Sequence, residues 1–299
     1  MISIFRIISI PQYALCILTS VFTFITLGYL LYCQTKHRER LISTPILINI
    51  LTWLFTVACN LPYTSFSTYS WFNGGIDSTI LFWFGAVYFA ATTAVSISVF
   101  FLLLDRCFIL IGRSWLTGNR LHTINAIFVI IDFFVIFGIF VGVEELDPEK
   151  TTCQTFSCVT VNRAQSLYIV RIIYGTLNTL VASAFALILY QYNNKRAATV
   201  IIVVGVQSKS SATSKSNIIA GINVMSQIVF NFLPNLAAFL TQKVFGITLN
   251  SIAGPLIATS SQLDAFCTTL VYLIIVGGRV TKGKSVTSSA GPTTTIRKI

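Results

Sequence analysis

The feature that most limits how this chain can fold is a series of long apolar segments joined by short polar ones. A helix needs about 20 residues to cross the roughly 30 Å of hydrocarbon in a bilayer. Only 10% of the 299 residues are charged, whereas soluble domains carry about 25%, so the chain cannot cover its own surface in water. The sequence therefore predicts an integral membrane protein with seven spans, at residues 13–33, 44–66, 79–104, 123–143, 167–190, 218–241 and 254–276.

The spans are predicted to be α-helices that pack into one bundle. In lipid every backbone polar group needs an internal partner, which limits spanning structures to helices and closed barrels. Continuous apolar runs of this length exclude the alternating pattern of a barrel strand. The expected fold is an all-α membrane protein, a seven-transmembrane helix bundle over residues 1–276. The apolar stretch 197–206 is too short to span, so we place it at the interface or at the end of the fifth helix.

The orientation of the bundle follows from the positions of Lys and Arg. Fifteen of the 20 basic residues lie in the first, third and fifth loops and in the tail, and cytoplasmic segments carry such an excess. The N-terminus is therefore predicted outside and the C-terminus in the cytoplasm, where residues 277–299 form a disordered tail rich in Ser, Thr and Lys. Arg171, near the outer end of the fifth span, is interpreted as snorkelling outward. The other basic residues outside the cytoplasmic set are Arg6, Lys150, Arg163 and Lys243.

Several classes of function find no support in the sequence. It contains no Gly-rich phosphate loop, no metal-ligand cluster and no nucleophile–base–acid set, so we expect no enzyme activity, no cofactor and no metal. The two histidines, His37 and His122, lie far from any group of cysteines. The basic residues form short clusters and no single patch or stripe, so no nucleic-acid partner is expected. The lipid bilayer is the partner that composition alone implies.

The most informative local feature is the pair Asp105-Arg106, where the third helix is predicted to leave the membrane on the cytoplasmic side. An arginine held there by its neighbouring acid forms a strong pair that can open to meet a cytoplasmic partner. Seven helices, an outside N-terminus and this pair match the architecture of G-protein-coupled receptors. The alternative is that Arg106 only snorkels at a helix end and that Asp105 neutralises it.

The run FFLLLDRC at residues 100–107 resembles the serpentine chemoreceptors of nematodes, most closely those of class BC, and so do the chain length and the short termini. The resemblance implies a multi-pass olfactory or chemosensory receptor in the plasma membrane of sensory neurons. Such a receptor couples an external chemical to a heterotrimeric G protein. The chain departs from the larger rhodopsin-like family at Cys107, which replaces a Tyr, and in the seventh helix, which lacks an Asn-Pro-x-x-Tyr motif. These departures argue against direct transfer of the rhodopsin-like activation scheme.

A ligand pocket is expected between the outer halves of the third, fifth, sixth and seventh helices. For each aromatic candidate the alternative is lipid contact or helix packing. For Asp264 the alternative is a protonated acid that hydrogen-bonds between helices. Pro234 is the predicted hinge of the sixth helix, and a static kink is the alternative. The candidates to line the pocket are Trp83, Phe84, Tyr88, Asn235, Phe239 and Asp264.

Two cysteines, Cys153 and Cys158, fall in the predicted outer loop between the fourth and fifth spans, which is oxidising space. We expect them to close a small loop with each other through a disulfide. The alternatives are two free thiols or a pairing with another chain.

Two other functions stay open at this level, a multi-span transporter and a ligand-gated channel subunit. Acids near the middle of the membrane, Asp132 and Asp264, favour a transporter. Seven spans without an evident internal repeat argue against it. The predicted outside N-terminus argues against a channel of the insect odorant type.

Overall fold

A computed structural model describes residues 4–36, 42–73, 77–112, 119–146, 155–162, 164–200, 210–246, 249 and 255–277. Within these ranges every named element is helical, and seven helices are long and apolar enough to cross a membrane. The prediction of an all-α bundle with seven such helices is confirmed. The orientation of its termini stays a prediction.

Five helices are uninterrupted: α1 (Ile4–Lys36), α2 (Thr44–Asn73), α3 (Ser78–Ile111), α4 (Asn119–Val143) and α5 (Gln165–Val200). α6 runs from Ser210–Gln227 through a π-helical turn, Ile228–Phe232, into Leu233–Phe245. α7 is Leu256–Tyr272 and ends in a second π-helical turn, Leu273–Gly277. The backbone of residues 197–200 therefore belongs to α5, while 201–206 and the tail beyond 277 lie outside the described residues.

Local sequence determines both ends of α3. The Asp77 carboxylate accepts hydrogen bonds from the backbone N–H groups of Thr79 (3.0 Å) and Ile80 (3.2 Å), as an N-cap residue does. At the other end Gly112 adopts a left-handed conformation with φ 80°, which terminates the helix. Because α3 ends at Ile111, Arg106 lies in the last two turns of the helix and not in a loop.

α3 is the central helix of the bundle and contacts α2, α4, α5 and α6. Many of its inward residues are small, including Ala86, Ala90 and Ala94, which lets the neighbouring helices approach closely. By contrast, α4 and α5 expose large apolar side chains such as Phe134 and Leu180. Apolar residues outside and buried polar ones inside are what a bundle surrounded by lipid requires.

The connection between α4 and α5 folds onto one end of the bundle. The ring of Phe156 is buried against α3, with its centroid 5.8 Å from that of Phe82. The backbone N–H of Phe156 donates to the hydroxyl of Tyr63 at 3.1 Å. Gly85 makes room for the ring, because a Cβ at that position would lie 2.4 Å from Phe156 Cδ2. We call this end of the bundle the loop end and the opposite one the Arg106 end.

The start of α5 is fastened to the same end by Glu144, which is fully buried. Its carboxylate accepts hydrogen bonds from the N–H groups of Ala164 (3.0 Å) and Ser166 (2.8 Å) and from the Ser166 hydroxyl (2.6 Å). A carboxylate at a helix N-terminus satisfies free N–H groups and interacts favourably with the helix dipole. The acid thus fixes where α5 enters the bundle.

Candidate functional site

Asp105 and Arg106 form an ion pair at the Arg106 end of α3, with 2.7 Å between Asp105 Oδ2 and Arg106 Nη2. Both side chains are buried, with exposures of 3% for Asp105 and 7% for Arg106. Arg106 Nε has no hydrogen-bond partner among the described residues. Separating two buried charges is costly unless another group replaces the lost contact. The pair therefore holds a guanidinium that a protein offering acceptors at this end can compete for.

Asp264 is the acceptor at the centre of a polar cluster midway along α7. Its side chain is fully buried, and all its hydrogen bonds come from α6. Oδ1 accepts from the Ser226 hydroxyl, while Oδ2 accepts from the side-chain amides of Gln227 and Asn231. Three donors on two oxygens make this carboxyl group well satisfied without a cation in contact with it.

Arg171 on α5 belongs to the same cluster, and its predicted outward snorkelling is wrong. Its side chain is only 5% exposed and points into the bundle. Nη1 donates to the Ser261 hydroxyl at 3.0 Å and, more weakly, to Asn231 Oδ1 at 3.4 Å. Nη2 donates to the Thr92 hydroxyl on α3. The interior provides hydroxyl and amide oxygens that accept hydrogen bonds from the guanidinium group. The apolar outer surface of α5 provides no such acceptors.

Asn231 connects the two buried charges. Its Oδ1 accepts from Arg171 and from the Ser261 hydroxyl (3.0 Å), while its Nδ2 donates to Asp264. One carboxamide thus presents its oxygen to the cation and its nitrogen to the anion. Asn231 lies in the π-helical turn of α6, so the geometry of that turn decides whether α5 and α7 are linked through α6. π-Helical turns are often found at functional positions.

An aromatic layer covers this cluster on the side of the loop end. The Phe89 ring lies 5.4 Å from the Arg171 guanidinium carbon, within the range of a cation–π contact. Phe156 packs on Phe89 with 5.3 Å between ring centroids. The described part of the α4–α5 connection is therefore one ring away from the buried arginine.

A second chain of hydrogen bonds joins α1, α2, α3 and α7. Gln262 Nε2 donates to the Tyr88 hydroxyl at 3.1 Å, and Gln262 Oε1 accepts from the Ser20 hydroxyl at 2.9 Å. Asn60 Nδ2 in turn donates to Ser20 Oγ at 2.8 Å. Tyr88 also stacks on Tyr63, whose hydroxyl accepts from Phe156, so this chain connects to the α4–α5 connection as well.

A third polar node lies nearer the Arg106 end, around the fully buried Tyr272. The Tyr272 hydroxyl donates to Asn49 Oδ1 at 2.6 Å and accepts from Asn223 Nδ2 at 2.8 Å. Asn49 Nδ2 donates to the Ser98 hydroxyl at 2.6 Å. Side chains of α2, α3, α6 and α7 meet here, two helical turns along α7 from Asp264. The node links the part of α6 nearer the Arg106 end to the rest of the bundle.

Asp132, the acid in the middle of α4, hydrogen-bonds between helices. It accepts from the Tyr174 hydroxyl on α5 and from the Thr93 hydroxyl on α3, the latter at 3.2 Å. These contacts attach α4 to its neighbours and give Asp132 a structural role.

The six predicted pocket residues do not share one environment. Tyr88, Asn235 and Asp264 are fully buried in the bundle interior, and Phe239 packs partly buried against the core. The structure does not bring Trp83 and Phe84 together with them, because these side chains are 45% and 38% exposed on the outside of α3. A cavity between α3 and α5 has none of the six in its lining, which consists of Ser96, Ile97, Phe100, Tyr174, Leu177 and Asn178.

Two further predictions concern a disulfide and the hinge. Cys158 is disulfide-bonded, and Cys153, its predicted partner, lies outside the described residues. The π-helical turn of α6 ends at Phe232, and Pro234 follows it after a single intervening residue, Leu233. The proline therefore marks a real irregularity in the helix, and its role as a hinge stays a prediction.

Sequence reasoning missed the partners that surround the charges, above all Asn231, Gln227 and Tyr272. A polar amide inside an apolar span is a usable signal, since burying it without a partner is costly. The described residues contain no group of three His, Cys, Asp or Glu that would hold a metal ion. No protein-family model matches the chain, and no curated protein matches it either.

Proposed function

We propose that this chain is a G-protein-coupled chemosensory receptor, with its N-terminus outside the cell and its C-terminus in the cytoplasm. It binds a small external chemical within the loop end of the bundle and activates a heterotrimeric G protein at the Arg106 end. Its place is the plasma membrane, and the resemblance to nematode chemoreceptors suggests sensory neurons.

The observation that carries this proposal is the buried Asp105–Arg106 pair at the end of α3. The pair is adjacent in sequence, 2.7 Å apart and shielded from solvent, yet Arg106 keeps an unsatisfied Nε. Such a pair is stable while the bundle is closed and exchanges partners when a neighbouring helix moves. It is a suitable device for presenting an arginine to a cytoplasmic protein only when the receptor is occupied.

The polar nodes supply a physical path between the two ends. The aromatic layer at the loop end touches Arg171, the Arg171–Asn231–Asp264 cluster joins α5, α6 and α7, and Tyr272 joins α6 to α2. A ligand that binds one arrangement of these contacts more tightly than another shifts the equilibrium between them. The inner part of α6 is the element whose position both the middle cluster and the Tyr272 node decide.

The test uses ligand-independent signalling, since it needs no known agonist. Asp105→Asn removes the charge that holds Arg106, so basal G-protein activation should rise several-fold, and Asp105→Asn combined with Arg106→Ala should abolish the rise. Arg120→Ala, at an exposed position at the same end of the bundle, is the matched control and should leave the rise intact. An N-terminal epitope tag stained on unpermeabilised cells measures surface expression and orientation together. Undiminished signalling after loss of Arg106, or staining only after permeabilisation, would contradict the proposal.

A transporter is the second candidate, because three ionisable side chains are buried deep in the bundle: Asp132, Arg171 and Asp264. The interruption of α6 by a π-helical turn beside Asp264 adds to this, since transport sites lie where helices are broken. Proton-driven uptake or current that Asp264→Asn abolishes and Arg106→Ala leaves unchanged would favour transport. The reverse pattern favours the receptor. An inside N-terminus would favour a ligand-gated channel subunit.

A further inference from the structure

α6 leaves α-helical geometry at Ile228–Phe232, where the N–H of Leu233 bonds to the carbonyl of Ile228, five residues back. An α-helix closes this bond over four residues. The turn therefore holds one residue more than an α-helical turn, and helices on both sides of it, Ser210–Gln227 and Leu233–Phe245, are regular.

Pro234 explains why the extra residue sits at this place. In an α-helix the proline ring clashes with the carbonyl four residues back, here that of Phe230, and proline has no N–H to offer it. A wider turn immediately before the proline relieves the clash. Pro234 thus favours a wide turn at this position, and contacts with neighbouring helices add to that preference.

The wide turn also sets which side chains face the bundle. Gln227, Asn231 and Asn235 are spaced four residues apart, and four residues overshoot an α-helical turn by about 40°. The π-helical turn takes up this overshoot, so Gln227 and Asn231 both reach Asp264 while Asn235 stays buried. An entirely α-helical α6 would turn part of this row away from α7.

Two contacts hold the wide turn where it is. Asn231 bonds to Arg171 on one side and to Asp264 on the other. Phe232 fits against α5 at Gly175, where an added Cβ would lie 2.4 Å from Phe232 Cδ2. The Phe232 ring against Gly175 and the two hydrogen bonds of the Asn231 side chain fix the position of the extra residue along α6.

We propose that this π-helical turn is a register switch. The extra residue cannot disappear, so when its contacts are released it leaves only by migrating along α6 toward Ser210. Each residue that it passes rotates by about 100° about the helix axis and shifts by about 1.5 Å. Migration thereby turns Ser226 and Gln227 away from Asp264, and Asn223 away from Tyr272. The migration of the extra residue along α6 does not depend on what the protein does, whereas its consequence for signalling rests on the receptor function proposed above.

The first test removes the extra residue. Val229 lies within the wide turn with its side chain exposed. Its deletion removes the extra residue, so α6 should bend at Pro234, keep the orientation of both its halves toward the bundle, and be unable to switch. Deletion of Met225, exposed in the regular part of α6, should instead draw the extra residue to that position, turn Ser226 and Gln227 away from Asp264, and destabilise the protein more than the Val229 deletion does. Backbone amide exchange over residues 216–227 should slow by about tenfold in the Val229 deletion, because migration opens these hydrogen bonds. If the Val229 deletion destabilises the protein as much as the Met225 deletion, or if it folds and its amide exchange is unchanged, the switch is refuted.

The second test is a substitution that favours migration of the extra residue, whereas the Val229 deletion prevents it. Gly175→Ala pushes Phe232 out of its seat, so the wide turn should leave more often and exchange over residues 216–227 should quicken by about tenfold. Gly138→Ala on α4, where an added Cβ meets nothing within 4 Å, is the matched control and should change nothing. Slower or unchanged exchange after Gly175→Ala would overturn the inference.

Signalling separates this inference from the receptor function. If the Val229 deletion slows exchange and also suppresses the basal signal of Asp105→Asn, the switch operates in the receptor. If it slows exchange while that signal persists, the switch exists and its link to G-protein activation is refuted.

Discussion

Asp264 receives hydrogen bonds from Ser226, Gln227 and Asn231, and substitutions there test whether this donor set is as the structure shows it. Asp264→Asn can keep all three contacts. The new amide oxygen accepts from the two amides in the place of Oδ2, and its NH₂ group donates to Ser226, whose hydroxyl reverses. Asp264→Ala offers no acceptor, so both amide donors stay buried without a partner.

The magnitudes follow from these contacts. In Asp264→Asn three hydrogen bonds to a charged acceptor become neutral ones, a loss of about 1 kcal/mol each and about 3 kcal/mol together. In Asp264→Ala the two amides and the Ser226 hydroxyl lose their acceptor at roughly 1–3 kcal/mol each, which gives about 6 kcal/mol before any cavity is counted. The alanine variant should therefore be about twice as destabilised as the asparagine variant.

Thermal unfolding of the purified protein, followed with a thiol-reactive dye, measures this difference because Cys16, Cys33 and Cys107 are buried in the folded chain. Asp77→Asn is the control, since it removes an equal charge at an exposed N-cap where asparagine caps as well. Its melting temperature should stay close to that of the unchanged protein. Equal destabilisation by Asp264→Asn and Asp264→Ala would refute the assignment of two amide donors to this carboxylate.

Two further predictions concern the loop end. Glu144→Gln keeps the size of the cap on α5 but removes its charge, and its NH₂ group cannot accept from the backbone N–H that Glu144 Oε2 serves. The same assay should show a loss of about 3 kcal/mol; an unchanged melting temperature would speak against the cap. Gly85→Ala should displace Phe156 from α3 and expose residues 155–162 to limited proteolysis, whereas Gly138→Ala should not. Equal protease resistance of both variants would show that Phe156 does not depend on the space at Gly85.

The interior of this bundle explains how one structure can hold together and still change. Polar side chains from all seven helices are buried, and each node joins a few helices, with neutral donors or acceptors on at least one side of every contact. Hydrogen bonds between membrane helices are worth roughly 0.6 kcal/mol on average. Contacts of this size are strong enough in sum to define a fold, and single nodes are weak enough to exchange when a ligand offers better ones.

The helices themselves were open to prediction because a span is defined by length and apolarity along one dimension. All seven predicted segments fall on observed helices, and only the seventh begins before the described part of its helix, which starts at Leu256. The first six observed helices are longer than predicted, since a helix continues past the hydrocarbon until a signal such as Gly112 ends it.

The interior contacts were less accessible. Asp264 is a candidate because a carboxylate in an apolar span is conspicuous, and the structure buries it together with Tyr88 and Asn235, while their place in a ligand pocket stays a prediction. Trp83 is five residues from Tyr88, about 140° away around α3, which accounts for its outward position. Phe84 is four residues from Tyr88 and only about 40° away, so its 38% exposure follows from the packing of α3 and not from helix spacing. Arg171 was placed outside since its position near the end of a span suggested snorkelling, and only the acceptors on α3, α6 and α7 show why it turns inward.

By itself the sequence determined that the chain is a membrane bundle of seven helices and where along each helix the charged residues lie. These properties depend on composition and on spacing along the chain, because the thickness of the bilayer sets the length that an apolar helix must have. The tertiary structure decided which polar groups meet, since that depends on the rotation of each helix about its axis. A single extra residue in α6 changes that rotation, and it is what allows Asn231 to lie between Arg171 and Asp264.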